Sequence, residues 1–95
     1  MPAAHRHDDL RTCGATTVVS GQSTVFVNNK LWAVDNDENS HGGGGLNPSG
    51  TTVFIENKLV IVNAPDDADP DNLCPGPLHC DPDTAAGSPN VSCYG

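Results

Sequence analysis

The chain has 95 residues, 12 Asp and Glu against 4 Lys and Arg, a formal net charge of −8, and only 4% aromatic residues. One domain covering residues 1–95 is expected, with so small a core that a disulfide, a metal or a partner chain must staple it. Dispersal of Arg6, Arg11, Lys30 and Lys58 in an acidic chain excludes a phosphate-backbone footprint, and no apolar run approaches the roughly 20 residues that cross a bilayer.

The opening Met-Pro-Ala-Ala has no apolar h-region, so synthesis in the cytoplasm without a signal peptide is expected. In that compartment Cys is more often a metal ligand than half of a lasting disulfide. The first predicted hairpin runs through Val25-Phe26-Val27, turns at Asn28-Asn29 and returns through Leu31-Trp32-Ala33-Val34. "HGGGG" at 41–45 lacks the Lys and helix of a phosphate loop and reads as a turn. A second hairpin follows, with Val53-Phe54-Ile55, a Glu56-Asn57 turn and Leu59-Val60-Ile61-Val62. Asp66, Asp67, Asp69 and Asp71 read as a solvated acidic loop without the spacing of a calcium loop. The stretch Asn90-Val91-Ser92 matches a glycosylation sequon by chance, and Cys93 reads as a strand residue.

The two hairpins stand at a constant separation of 28 residues, which also carries Cys13 onto His41. A shorter echo, Gly87-Ser88-Pro89-Asn90-Val91, repeats Gly21-Gln22-Ser23-Thr24-Val25, and the separation of 38 from Val53 to Val91 carries His41 onto His79. Thus Cys13, His41 and His79 each stand 12 residues before the Val of a repeat. Three units of this kind predict an all-β fold of three β-hairpin repeats with pseudo-threefold symmetry, and three metal-binding side chains brought near one axis. No segment has helical periodicity with caps, no Ser sits in a nucleophile elbow, and no carboxylate pair has a positional argument, so no catalytic residue is assigned.

"MPAAHRHDD", the following "CG" and "HG", and "GQSTVFVNNK" together resemble the PAAR-repeat proteins, whose Pro-Ala-Ala-Arg element and "GSxxVxVNGK" segment they parallel. The sequence departs from that pattern by an inserted His5, by His7-Asp8 and Asn36-Asp37 in place of Gly-Asp, and by the insertion "PDDADPDNLCPGPLHC" in the third unit. The resemblance implies a small pointed β cone with one structural Zn2+ near its apex, bound as a rule by three His and one Cys. It further implies a non-enzymatic protein that caps a trimeric β-helical spike, one monomer per trimer, in a phage tail or type VI secretion system. The location would be a virion tail tip or secretion spike tip, with transient envelope contact.

The ligand set expected is Cys13, His41 and His79 from the repeat register, with Cys74 fourth because "CPGPLHC" resembles a Cys-Pro…His element of some relatives. Cys80, His5 and His7 compete for the fourth place, and a Cys74–Cys80 disulfide is the other use of that pair. The competing functional class is a free-standing zinc-binding adaptor or small zinc enzyme; a catalytic zinc would keep only three protein ligands and a water.

Overall fold

Both hairpin segments have the β-branched run and two-residue turn that a tight connection requires, and in the computed structural model, which describes residues 2–48, 53–63 and 65–92, both form. In chain order the strands are β1 (Ala3–Ala4), β2 (Thr17–Val18), β3 (Phe26–Val27), β4 (Lys30–Leu31), β5 (Glu38–Asn39), β6 (Phe54–Ile55), β7 (Lys58–Leu59) and β8 (Val62–Asn63). They pair antiparallel as β1–β8, β2–β5, β3–β4 and β6–β7. There is no helix among the described residues.

In the first hairpin Phe26 faces Leu31 and Val27 faces Lys30; in the second Phe54 faces Leu59 and Ile55 faces Lys58. The turn residues Asn28 and Asn29 have φ of 52° and 66°, and Glu56 and Asn57 have 50° and 68°. Two successive left-handed residues match the right-handed twist of the flanking strands, and Asn tolerates that region better than most residues. Glu56 lacks that tolerance but has a second use. Its Oε2 accepts hydrogen bonds from the Ser23 N–H (3.2 Å) and the Thr24 hydroxyl (3.0 Å), tying the second turn to the first unit.

The return strands meet in a closed ring. Ala33 N–H donates to the His5 carbonyl (2.9 Å), Ile61 N–H donates to the Ala33 carbonyl (2.9 Å), and His5 N–H donates to the Ile61 carbonyl (3.1 Å). These residues, spaced by 28, are all fully buried, so the ring is the centre on which the core is built. Val19, Leu46 and Ala68 pack with Ala33 and Ile61, while Val34, Ile55, Val60 and Val62 pack against Trp32.

The third repeat differs from expectation. Its register holds, but its partner strand comes from the other end of the chain. Trp32 N–H donates to Val25 O and Val60 N–H to Val53 O inside the two hairpins, and the equivalent bond runs from Ala4 N–H to Val91 O at 2.9 Å. The local turn is also repeated: Gln22 Oε1 accepts from Thr24 and Val25 N–H, and Ser88 Oγ accepts from Asn90 and Val91 N–H. One edge of β1 is paired with β8, and the other would leave the Ala4 N–H without an acceptor; the segment at Val91 satisfies it. Cys93 and Tyr94 lie outside the described residues.

Beneath the ring runs a directional polar chain. His5 Nδ1 lies 2.7 Å from the Ala86 carbonyl, which can only accept, so Nδ1 carries the proton and donates. Nε2 then accepts from the Thr17 hydroxyl at 2.6 Å, and Thr17 Oγ1 accepts from Arg11 Nε at 2.6 Å. Burial lowers the imidazole pKa to about 4, against the opposing pull of the Ala86 bond and of Asp9. Because the folded value lies below the ordinary 6.5, the unfolded chain binds more protons between these limits. The stability from a neutral His5 is therefore complete above pH 6.5 and lost as pH falls toward 4, by up to about 3 kcal/mol at about 1.4 kcal/mol per unit. Urea midpoints measured across this range should show the slope, and His5→Asn should flatten it.

Candidate metal centre

Equivalent turns deliver Cys13 and His41. Gly14 N–H donates to Arg11 O (3.1 Å) and Gly42 N–H to Asn39 O (2.9 Å), and both glycines have φ of 86°. A side chain at either position would be strained, so the left-handed Gly fixes how the preceding ligand leaves the backbone. The third unit begins the same turn, with Cys74 N–H donating to Asp71 O at 3.2 Å. It then departs into the inserted loop, which a disulfide between Cys74 and Cys80 closes. The loop returns with His79, whose carbonyl accepts from Asp71 N–H at 2.9 Å.

One ligand atom from each of Cys13, His41, Asp71 and His79 lies within 4.8 Å of the others. Asp71 Oδ2 is 3.0 Å from His79 Nδ1 and 3.2 Å from His41 Nδ1, and Cys13 Sγ is 3.9 Å from His41 Nδ1. A tetrahedron with metal bonds of about 2.0–2.3 Å has edges of about 3.3–3.8 Å. The separations straddle that range, and a cluster spread over up to 4.8 Å would contract by about 1 Å at its widest to hold one metal ion, for which the donor set is suited. The Asp71 side chain is fully buried, and those of His41 and His79 are 27% and 17% exposed.

The electrostatics suit a cation. Burial by itself would raise the Asp71 carboxyl, but bonds from His79, the Leu73 N–H, His41 and Asn39 outweigh it and hold the group well below the usual carboxylate range. Burial pushes the Cys13 thiol up, with Asp71 adding and the Ala15 N–H and Arg11 opposing. A bound metal ion would reverse that and deprotonate the thiol outright. Asn39 braces the group from behind. Its Nδ2 lies 3.3 Å from Asp71 Oδ2 and 3.9 Å from Cys13 Sγ, while its Oδ1 accepts from the His41 N–H at 2.9 Å.

Of the residues expected from sequence, the structure brings Cys13, His41 and His79 together and places Asp71 where Cys74 was expected. Cys74 and Cys80 are joined to each other, which removes both thiols as ligands. His5 is committed to Thr17 and Ala86, and His7 Nδ1 accepts from the Val19 N–H at 3.1 Å. The acidic loop is also corrected, since Asp66 and Asp71 are buried. Asp66 Oδ2 accepts from the Val62 N–H (3.0 Å), as Asp9 Oδ2 does from Arg6 N–H (2.9 Å) and Asp37 Oδ2 from Val34 N–H (2.9 Å). Asp71 had a signal too. It occupies the inward position held by Arg11 and Asn39, but the insertion hides that equivalence from residue spacing.

No pocket opens among the described residues, and no helix in them is long and apolar enough to cross a membrane. No protein-family model, curated protein or solved structure matches the chain.

Proposed function

We propose that this chain is a zinc-stabilised, non-catalytic binding module. The observation that carries this reading is the four-donor cluster of Cys13, His41, Asp71 and His79. One thiol, two imidazoles and one carboxylate suit Zn2+ better than Ca2+ or Mg2+, which take oxygen shells. Four protein donors leave no open position for a substrate or an activated water, which is the arrangement of structural zinc. Metal analysis of the purified chain should give about one zinc per chain; well-folded protein with no bound metal would overturn the reading.

A second observation favours a particular kind of partner. The strand starts, away from the Asn28-Asn29 and Glu56-Asn57 turns, expose Val25 and Phe26 in one hairpin and Val53 and Phe54 in the other, with both phenylalanines about 60% exposed. These pairs are 28 residues apart, like the members of the buried His5, Ala33 and Ile61 ring. A PAAR-like cone capping a trimeric spike would present such repeated apolar contacts to a threefold platform. One chain per three spike chains is then the expected mass in light scattering with a cognate spike. A three-to-three complex, or no affinity, would leave the adaptor reading alone.

A further inference from the structure

We propose that the Cys74–Cys80 disulfide is a redox-operated positioning device for the metal centre, so that reducing it releases the metal. The inference rests on the metal reading above and adds a regulation to it. Two of the four donors, Asp71 and His79, bracket the inserted loop, and the disulfide joins the residue three after Asp71 to the residue after His79. From residue 72 to residue 81 no side chain is buried, and Leu73 and Leu78 stand more than half exposed. Packing therefore does not hold this segment. Two backbone bonds lie inside it, Gly76 N–H to Leu73 O and His79 N–H to Gly76 O. At its ends Cys74 N–H donates to Asp71 O, Leu73 N–H to Asp71 Oδ1, Asn72 N–H to Gly42 O, Asp71 N–H to His79 O and the Thr12 hydroxyl to Asp81 O. Breaking the crosslink restores the conformational freedom of the loop, and this entropy must be removed again each time His79 closes on the metal.

The chemistry needs a thiol reductant. Two thiols R–SH attack in sequence, the Cys74–Cys80 S–S bond breaks, each sulfur takes up one proton, and R–S–S–R leaves with the two-electron oxidation. Linkage makes the effect reciprocal: by whatever factor oxidation tightens the metal, the metal disfavours reduction by the same factor. A tenfold ratio corresponds to about 30 mV in the potential of the couple.

The test is a zinc titration of the full chain against a competing chromophoric chelator, run on oxidised protein, on protein reduced with a phosphine, and on the Cys74→Ser, Cys80→Ser double variant. Zinc affinity should fall at least tenfold in both the reduced chain and the double variant. The potential of the disulfide should be lower with zinc bound, by the amount that the affinity ratio predicts. Equal affinity in oxidised and reduced chains would overturn the proposal, as would tighter binding after reduction, which would show Cys74 or Cys80 recruited as ligand. If neither form binds zinc, the metal reading fails instead. Reduced wild-type protein serves as the readout should the double variant fail to fold.

Discussion

Removing the metal with a chelator is expected to lower the thermal midpoint of this protein by tens of degrees and to leave most chains unfolded at 37 °C. Among the described residues the buried apolar set is twelve, four of them alanine, and the longest strands have two residues. A domain of this size has a total stability on the order of 5–15 kcal/mol, and a structural zinc contributes on the order of 10 kcal/mol of it. Since about 1 kcal/mol moves the midpoint of a domain this short by about 4–8 °C, losing the metal exceeds the margin. His41→Ala should reproduce the collapse because it removes a donor. His7→Ala should be mild, for that partly exposed ring accepts the Val19 N–H and its other nitrogen lies 3.5 Å from the exposed Asp8 carboxylate. Circular dichroism melts of both variants, with and without chelator, check this.

Arg11→Ala is expected to cost about 4 kcal/mol or more, comparable to the worst truncations of a large core side chain. Among the described residues Arg11 is the largest fully buried side chain, and its pKa, lowered to about 10 by burial, keeps it charged at neutral pH. It donates to the carbonyls of Gly44 (3.0 Å), Pro82 (2.9 Å) and Asp37 (3.2 Å) and to Thr17 Oγ1, so one guanidinium ties all three units together. Truncation opens a cavity and strips these buried acceptors of a charged donor, each at a cost of about 1–3 kcal/mol before relaxation. Arg11→Lys should recover only part of this, because an ammonium cannot reach carbonyls arranged for a planar fork. Urea unfolding of the zinc-loaded variants measures both.

The hairpins were legible because their signals are local: β-branched runs around Asn28-Asn29 and Glu56-Asn57, in a chain with no helical periodicity. The alignment of Cys13, His41 and His79 was legible because the repeat register survives in the third unit, where Ser88 takes over the turn bonding of Gln22. What spacing could not give is long-range. The pairing of Val91 with Ala4 joins segments 87 residues apart, and neither has a sequence feature that names its partner. Asp71 was hidden by the insertion, and the Cys74–Cys80 disulfide, though open as the other use of that pair, was set behind metal ligation by an argument from compartment. Arg11 stood in the sequence as one of four dispersed cations; only the fold shows the carbonyls that surround it.

The donor set itself can be read by X-ray absorption at the zinc edge of the purified, oxidised protein. One sulfur at about 2.3 Å and three nitrogen or oxygen scatterers at about 2.0–2.1 Å are expected, from Cys13, His41, His79 and Asp71. Two or more sulfurs in the shell would contradict this centre by placing Cys74 or Cys80 on the metal, and folded protein with no zinc edge would contradict the metal-stabilised fold altogether.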